Sequence, residues 1–541
     1  MSKAENSPVG PNTAGNTPSA ASLYLARAVG LHLEGKGGEA LLELERALAA
    51  RDGLGGETLV EIHSAVGFIH FERKEFEKAA EGYRKVLELE PRHPSACYNL
   101  ALCLQALGQW QLAIDRFNEA LAVDPGRNEA NLGLGACFLQ LGEAREAFEA
   151  YERRLRQDPE LEEAQLGKAV ALQIQKKLPE AAEIYWHILD HNPRSEECLS
   201  NAILVAGELK DYAAVKQFAE QLLAIRPGSP AAAEGLATVA FAAGDHEKAA
   251  EWCTALVDRA PNCFEGWFNL GIACQTAGHH EKAVAAYSKA FQLRPEEPQL
   301  LINLGIAFQD TGDIEHAREA YRKAVRLDPG STTALWNLGL LLEGQGQAAE
   351  AQQVYERLIE QSPDWEEARF RLGYTRLLLA DYRGAAEAFE ACLSKRNDWL
   401  EPRLNTAIAY WKLGELQPAW DSFEKALALQ PDCVDGLRGL AAIAIDRNTL
   451  EQALELHLKL LERGERTPEL LYNAGLLFQK SGEPAKAVPL YEAALSGSPG
   501  FAEALINLGI ALQALGREDE GRAQWRKAIE ANPELAHGYF N

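Results

Sequence analysis

The sequence predicts an all-α solenoid, in which a helical hairpin is copied and stacked about fifteen times. The first observation is a proline that returns every 34 residues. It lies at Pro91, Pro125, Pro159, Pro193, Pro227, Pro261, Pro295, Pro329, Pro363, Pro431, Pro499 and Pro533. Only Asn397 and Glu465 interrupt this register. A fixed period of this length indicates one supersecondary unit that buries its apolar face only against its neighbours.

The second observation is helical spacing inside each period. When positions are counted from residue 332, apolar residues at positions 4, 7 and 11 form one stripe, and those at positions 24, 27 and 28 form another. Small residues at position 8, such as Gly339, and position 20, such as Ala351, let the two helices approach closely. A glycine at position 15, such as Gly312, ends the first helix, and the proline at position 32 precedes the next repeat. Each period therefore predicts a pair of helices.

The elements follow in a simple order. Residues 1–20 are rich in Ser, Asn, Pro and Gly and contain no apolar run, so we predict a disordered tail and not a signal peptide. The solenoid is predicted over 21–535. Its divergent first repeat is 21–59, with a short insertion around 51–56, and fourteen contiguous 34-residue repeats follow over 60–535. Residues 536–541 are interpreted as the stub of an incomplete repeat.

Two copies depart from the pattern. Repeat 196–229 carries Ile203 and Val215 at the small positions and Ala219 at position 24, where most other copies have an aromatic ring. We expect this repeat to pack less tightly than its neighbours and to open first. Repeat 434–467 has Asn448 for the turn glycine, His457 for the aromatic residue and Glu465 for the closing proline.

The pattern resembles the tetratricopeptide repeat (TPR), which is written W-x2-L-G-x2-Y, then A-x3-F, then P. The copy that starts at residue 332 supplies Leu338-Gly339, Leu342, Ala351, Tyr355 and Pro363. The resemblance extends over about 21–535, nearly the whole chain. It implies a right-handed superhelical solenoid whose first helices line a concave side, with positions 2, 5, 6, 9, 12 and 13 pointing inward.

Amide and aromatic residues recur at those inward positions. Position 6 carries Asn99, Asn201, Asn269, Asn303, Asn337, Asn405, Asn473 and Asn507. Position 12 carries Gln275 and Gln309 among others, and position 5 carries Phe268, Trp336 and Phe370. Because an amide offers both donors and an acceptor, it matches a peptide backbone. We therefore predict that these residues bind peptide.

The position 6 set, called here the asparagine ladder, is similar to the ladder in the TPR superhelix of O-linked N-acetylglucosamine transferases. Their catalytic domain is not predicted in this chain. Asparagine before Leu-Gly is also common in ordinary repeats of the family, so the ladder is alternatively explained by helix packing alone.

Charge narrows the class of partner. Lys and Arg number 54 and Asp and Glu 79, so the net charge is −25. Nucleic acid and anionic membrane are therefore poor partners, and no stretch is long and apolar enough to span a membrane. Position 2 is acidic in most copies and never lysine, which disfavours a clamp for acidic carboxyl termini. A neutral or basic polypeptide fits best.

No catalytic motif is present in a suitable setting, so we predict no enzyme and no cofactor. His187 and His191 have i, i+4 spacing, but we interpret them as solvated residues and predict no metal site. The nine cysteines include no CxxC pair. Six of them lie at apolar or inward-leaning repeat positions and are interpreted as small buried apolar residues: Cys97, Cys103, Cys137, Cys253, Cys274 and Cys392. Free thiols suit a cytoplasmic protein.

These observations favour a non-enzymatic protein–protein interaction scaffold or adaptor. One alternative is a substrate-presenting subunit for an enzyme on another chain, such as a glycosyltransferase. A weaker alternative is a protein whose enzyme domain was lost. At the C-terminal end, Trp525, Ile529, Tyr539 and Phe540 are expected to form an incompletely covered apolar end, which predicts possible self-association.

Overall fold

The computed structural model describes residues 19–50 and 55–534, and within these ranges it contains thirty α-helices and no strand. The prediction of an all-α solenoid of helical hairpins is confirmed. The predicted stub at 536–541 and nearly all of the predicted tail lie outside the described residues. The first helix begins at Ala20. Ser19 is its N-cap residue, and the Ser19 hydroxyl accepts a hydrogen bond from the Ser22 amide.

Backbone contacts divide the chain into two compact units, Met1–Gly278 and His279–Asn541, called here unit 1 and unit 2. The helices of unit 1 are α1 Ala20–Leu33, α2 Gly37–Ala49, α3 Gly56–Glu72, α4 Phe76–Leu89, α5 Pro94–Ala106, α6 Trp110–Val123, α7 Glu129–Leu141, α8 Ala144–Leu155, α9 Glu162–Ile174, α10 Leu178–His191, α11 Glu196–Glu208, α12 Tyr212–Ile225, α13 Pro230–Ala242, α14 His246–Arg259 and α15 Phe264–Thr276. The helices of unit 2 are α16 His280–Leu293, α17 Pro298–Asp310, α18 Ile314–Leu327, α19 Thr332–Gly344, α20 Ala348–Gln361, α21 Glu366–Leu378, α22 Tyr382–Lys395, α23 Leu400–Lys412, α24 Leu416–Leu429, α25 Val434–Asp446, α26 Leu450–Glu462, α27 Pro468–Lys480, α28 Pro484–Gly497, α29 Ala502–Ala514 and α30 Glu518–Ala531.

Odd-numbered helices are the first helices of their repeats, called A helices, and even-numbered helices are the B helices. Each unit contains seven complete hairpins, and repeat 264–297 contributes α15 to unit 1 and α16 to unit 2. Helix boundaries follow the sequence frame closely, with one difference. Helix α3 begins at Gly56, four residues before the frame starts at Val60, because its first turn continues into the segment interpreted as an insertion.

The turn between A and B helices has the same backbone in every repeat from 60 onward. Position 15 is left-handed whether it is glycine, as in Gly312 (φ 80°), or not, as in Lys176 (φ 60°) and Asn448 (φ 56°). A non-glycine residue in this conformation costs about 1–2 kcal/mol. The packing of the two helices therefore imposes the turn even where the sequence lacks glycine.

A ring at position 24 organises the core of most repeats. Tyr321 and Tyr355 are fully buried. A Cβ atom added to Gly305 or Gly339, at position 8, would lie 2.5 Å from these rings. The predicted role of the small residue at position 8 is explained by this close approach.

The same ring also reaches the A helix of the following repeat. A Cβ atom added to Gly133, at position 6, would lie 2.3 Å from the ring of Phe117 in the preceding repeat. One added to Gly167 would lie 2.2 Å from Tyr151. The ring site is therefore enclosed by three helices, and position 6 belongs to its wall.

Repeat 196–229 fills this site without a ring. Ile203, Val215 and Ala219 are 3%, 0% and 0% exposed, and all three belong to one continuous apolar core cluster. Gly235, at position 6 of the next repeat, makes room, because a Cβ atom there would lie 2.6 Å from the Ile203 side chain. The branched side chains thus occupy space that a ring takes elsewhere. That this repeat opens first stays a prediction.

Repeat 434–467 replaces the ring with a buried imidazole. His457 is 3% exposed, and its Nδ1 lies 2.7 Å from the Ala453 carbonyl oxygen. Burial lowers the pKa of His457, so the neutral form is favoured in the folded protein. Glu465, in place of the closing proline, pairs with Arg438.

All nine cysteines are free thiols, and eight are buried. Burial raises the pKa of Cys103 to about 12 and that of Cys137 to about 11, so both thiols stay protonated and act as small apolar residues. Across the described ranges, no helix has the length and apolar character that a bilayer crossing requires.

Candidate peptide-binding face

Positions 2, 6, 9 and 13 of each A helix are spaced by four, three and four residues, so they lie on one side of the helix. This side is called the A-helix face. Within each unit, several A helices of neighbouring repeats approach each other, as do α5 and α7 or α23 and α25. Among the described residues, no neighbouring B helices approach as closely as these pairs. In these pairs of repeats, the A-helix faces therefore lie side by side.

All eight asparagines of the ladder lie on this face and are half-buried. In unit 2, Asn303 and Asn337 are in consecutive repeats, as are Asn473 and Asn507. Arg371 interrupts the ladder between these pairs, and its guanidinium donates a hydrogen bond to Glu343 at 2.8 Å. In unit 1, Asn99, Asn201 and Asn269 are separated by repeats with glycine at position 6. The structure thus concentrates the ladder in unit 2.

Three of the asparagines have side-chain partners. Gln299 donates to Asn303 at 3.0 Å, Asn507 donates to the Tyr472 hydroxyl at 3.1 Å and to the Glu503 carbonyl at 2.9 Å, and Asn99 contacts the Tyr83 hydroxyl. In the part of the chain that the structure describes, the side chains of Asn201, Asn269, Asn337, Asn405 and Asn473 form no hydrogen bond. Their amides are free to bind a ligand.

The glutamines at position 12 support the core, a role that the sequence reasoning missed. The Tyr321 hydroxyl donates to Gln309 Oε1 at 3.1 Å. The same bond joins Tyr185 to Gln173 at 2.9 Å, Tyr491 to Gln479 at 2.8 Å, and Tyr355 to Glu343 at 3.0 Å. The feature of the sequence that could have predicted this role is a tyrosine twelve residues after each acceptor. Gln309 is exposed and uses one acceptor site of its carbonyl oxygen for Tyr321, whereas Gln275 is half-buried.

The aromatic residues at position 5 are half-buried and pack against other rings. Trp336 stacks on Trp365 at 4.9 Å and contacts Tyr355 at 6.1 Å, Phe370 lies 5.1 Å from Trp399 and 5.7 Å from Phe389, and Phe268 stacks on Phe264 at 5.7 Å. Trp336 and Phe370 thereby join the starts of α19 and α21 to the core rings Tyr355 and Phe389. A role for the three residues in ligand binding stays a prediction.

Carboxylates line one edge of the A-helix face. The position 2 residues Glu401, Glu469 and Glu503 are exposed and form no ion pair with any described residue, whereas Glu367 pairs with Arg396 at 2.9 Å. At the opposite edge, position 13 carries the exposed Lys412 and Lys480 in two repeats. The charge on this face is therefore mostly negative beside the amides, where Arg371 is paired with Glu343. The far edge is mixed in charge, because position 13 also carries Asp310 and Asp446.

Two other predicted features lie away from this face. The rings of His187 and His191 lie 4.6 Å apart and tilted by 41° on a B helix, and no group of three potential metal ligands occurs among the described residues. At the C-terminal end, Trp525 and Ile529 are half-buried, and the Trp525 indole donates to the Ile506 carbonyl at 3.1 Å. Tyr539 and Phe540 lie outside the described residues.

The fold and this face define a helical-hairpin repeat protein in which equivalent surface positions recur along the chain. Two family models, both described as "Tetratricopeptide repeat", match the chain. One matches residues 104–162, 268–332, 302–365, 336–402 and 404–468, and the other matches 208–270 and 478–538. Because they cover more than half of the chain, the protein belongs to the tetratricopeptide-repeat family, whose members bind other proteins or peptides.

Two solved structures are similar to this chain. A chain in the crystal structure of the APC/C hetero-tetramer Cut9-Hcn1 shares 16% identity, with coverage of 92% of this chain and 97% of its own and a TM-score of 0.32. A tetratricopeptide repeat protein from Parabacteroides merdae ATCC 43184 shares 20% identity, with coverage of 46% and 98% and a TM-score of 0.33. No curated protein matches the sequence. At these identities, neither structure bears on function.

Proposed function

We propose that the protein is a non-enzymatic scaffold or adaptor whose A-helix face binds an extended polypeptide segment that is neutral or basic. The observation that carries this proposal is the set of half-buried amides without hydrogen-bond partners among the described residues, at Asn337, Asn405 and Asn473 in unit 2. A half-buried amide that is not bonded within the protein can pair with a backbone N–H and C=O at once.

The neighbours of these amides suit an extended chain. Position 9 of the same helices carries Leu340, Ile408 and Leu476, all half-buried. Their apolar surface can receive alternate side chains of the bound segment, at about 25 cal/mol for each Å² that it removes from water. Backbone pairing through amides gives affinity with little regard to sequence, so the proposed partner class is set mainly by charge and extension.

Charge supports the neutral or basic preference. Glu401, Glu469 and Glu503 lie one helical turn before the position 6 residue of their own helices. An acidic segment along the ladder would meet these carboxylates, which form no ion pair within the described residues. Lysine or arginine in the segment would instead gain solvent-exposed pairs of about 0.2–1 kcal/mol each.

The test is the triple substitution of Asn337, Asn405 and Asn473 by alanine. Binding is measured by fluorescence anisotropy with unstructured 20-residue peptides that differ only in net charge. Each lost hydrogen bond is worth about 1 kcal/mol, so affinity should fall about 10- to 100-fold while helical circular dichroism is unchanged. The wild-type protein should prefer neutral and basic peptides to the acidic one.

A matched control replaces the exposed B-helix amides of Gln292, Gln353 and Gln361 with alanine. This variant loses as many amides from another surface and should bind as the wild type does. Equal affinities for the ladder variant and the control would rule out peptide binding through the ladder.

A substrate-presenting subunit would use the same face, so a second measurement is needed to separate it from a scaffold. The purified chain should bind peptides and leave them chemically unchanged. Co-purification with a transferase activity, lost in the ladder variant, would favour the presenting role. Cytoplasmic location and self-association through the C-terminal end remain part of the proposal, and sedimentation across salt concentrations tests the latter.

A further inference from the structure

A second surface of unit 2 has a different chemical character from the A-helix face. An open cavity of about 520 Å³, called here the outer groove, lies between the B helices α16 and α18 and over α17. Its floor is apolar and is formed by Phe291, Leu301, Leu304 and Phe308. Leu301 and Leu304 are buried, while the two phenylalanine rings are half-exposed to the groove.

The rim of the outer groove is basic, although the chain as a whole carries a net charge of −25. Lys323 lies over the ring of Phe291 with its Nζ 4.3 Å from the ring centre. Neither Lys323 nor Arg326 forms an ion pair with any described residue, whereas Arg322 pairs with Glu350 at 2.5 Å. Helix α16, which forms the facing wall of the groove, has no acidic residue from Lys282 to Leu293. One carboxylate, Glu319, lies on the rim.

The equivalent groove in unit 1 shows that this charge is a local property and not a property of the repeat. That groove has a volume of about 390 Å³ and is lined by Arg84, Leu87, Glu88, Leu100, Leu104, Leu112 and Arg116. There Arg116 pairs with Glu119 at 2.6 Å. The repeat positions of Lys323 and Arg326 are occupied by Glu119 and Ala122 at the unit 1 groove. The two cations of the outer groove therefore have no counterpart at the corresponding positions of the unit 1 groove.

We infer that the outer groove docks an acidic amphipathic helix of a partner protein. Apolar side chains at i, i+3, i+4 and i+7 of that helix would cover the floor at Phe291 and Phe308. Its flanking carboxylates would face Lys323 and Arg326. The charge complementarity selects this occupant, because a basic or neutral helix would leave both cations without partners. The inference is independent of the proposed function of the A-helix face, since the two surfaces share no residue.

The experiment uses the full chain and three fluorescein-labelled 16-residue peptides. All three have the same leucines at helical spacing, and their flanking residues are glutamate, glutamine or lysine. The glutamate peptide should bind about ten-fold more tightly than the lysine peptide, as expected for two exposed ion pairs formed rather than two like-charge contacts. The double variant Lys323→Glu, Arg326→Glu should invert this order, and added salt should reduce the difference in both proteins.

The matched control is Arg84→Glu, Arg116→Glu, which places the same charge change in the equivalent groove of unit 1. It should keep the wild-type order of the three peptides. Circular dichroism of both variants should match the wild type. Equal affinity for all three peptides would overturn the inference, and so would an unchanged order of affinities in the Lys323 and Arg326 variant. The fatty acid dodecanoate is also tested as an apolar anion that has no helix. Binding of dodecanoate, with no binding of any peptide, would overturn the inference as well.

Discussion

Repeats 298–331 and 196–229 each enclose an equivalent space in their core, and they fill it with different side chains. In repeat 298–331, the Tyr321 ring lies against Gly305, and its hydroxyl donates to Gln309. In repeat 196–229, Ala219 stands in place of the ring. The missing volume is supplied by Ile203 from position 8 and by Val215 from position 20.

The difference shows which property of the repeat is constant. Close packing requires the space between the three helices to be filled, and several combinations of residues achieve this. A repeat that departs from the sequence motif therefore does not necessarily have a packing defect in its core. The ring adds a hydroxyl that bonds to Gln309, which the aliphatic combination cannot supply, so the two solutions should differ most in their response to substitution.

The largest expected effect comes from removal of the ring. Tyr321→Ala leaves a cavity between three helices and should cost about 3–5 kcal/mol of local stability. Native-state hydrogen exchange over 298–331 is the appropriate measurement, because a long repeat array is not expected to unfold in two states. The control Tyr321→Phe keeps the ring and loses only the bond to Gln309, so it should cost about 1 kcal/mol. Equal losses in both variants would mean that the hydroxyl, and not the ring, supports the repeat.

The next effect reverses the comparison by adding a ring to the aliphatic repeat. Ala219→Tyr should overpack the site against Ile203 and Val215 and cost about 1–3 kcal/mol. Combining it with Ile203→Gly and Val215→Ala restores the pattern of repeat 298–331. A cycle of denaturation measurements should show that the three substitutions are favourably coupled. Additive costs would show that the side chains do not share one space.

The smallest expected effect concerns repeat 434–467, where His457 occupies the ring site in place of a tyrosine or an aliphatic side chain. Because its pKa is lower in the folded protein, the unfolded chain binds protons more readily as the pH falls. The contribution of the neutral imidazole is therefore present above the unfolded pKa of about 6.5 and is lost as the pH decreases through it.

His457→Phe removes this titration and restores an apolar ring. It should stabilise repeat 434–467 more at pH 5 than at pH 8. Local hydrogen exchange or thermal melting at the two pH values checks the prediction. The same change in stability at both values would mean that His457 does not titrate in this way.

Much of the fold could be predicted from the sequence, because its signals are local and repeated. The period, the helical stripes and the glycine at position 15 predicted helix pairs whose bounds the structure reproduces. The candidate face was predicted less completely. The sequence predicted peptide binding for both Asn337 and Gln309. In the structure, Gln309 accepts a hydrogen bond from Tyr321, whereas the Asn337 side chain forms none with the described residues. Such a distinction depends on which side chains meet across helices.

The sequence by itself determined the hairpin, the number of copies and the chemical types at each position of the repeat. These follow from contacts within about one period of the chain. Only the tertiary structure decided that Gly235 makes room for Ile203, and that Lys323 and Arg326 have no carboxylate partner among the described residues. The physical reason is that the ring site and the groove are each enclosed by helices of two successive repeats. Their filling and charge therefore depend on packing between repeats, which the pattern of a single copy does not contain.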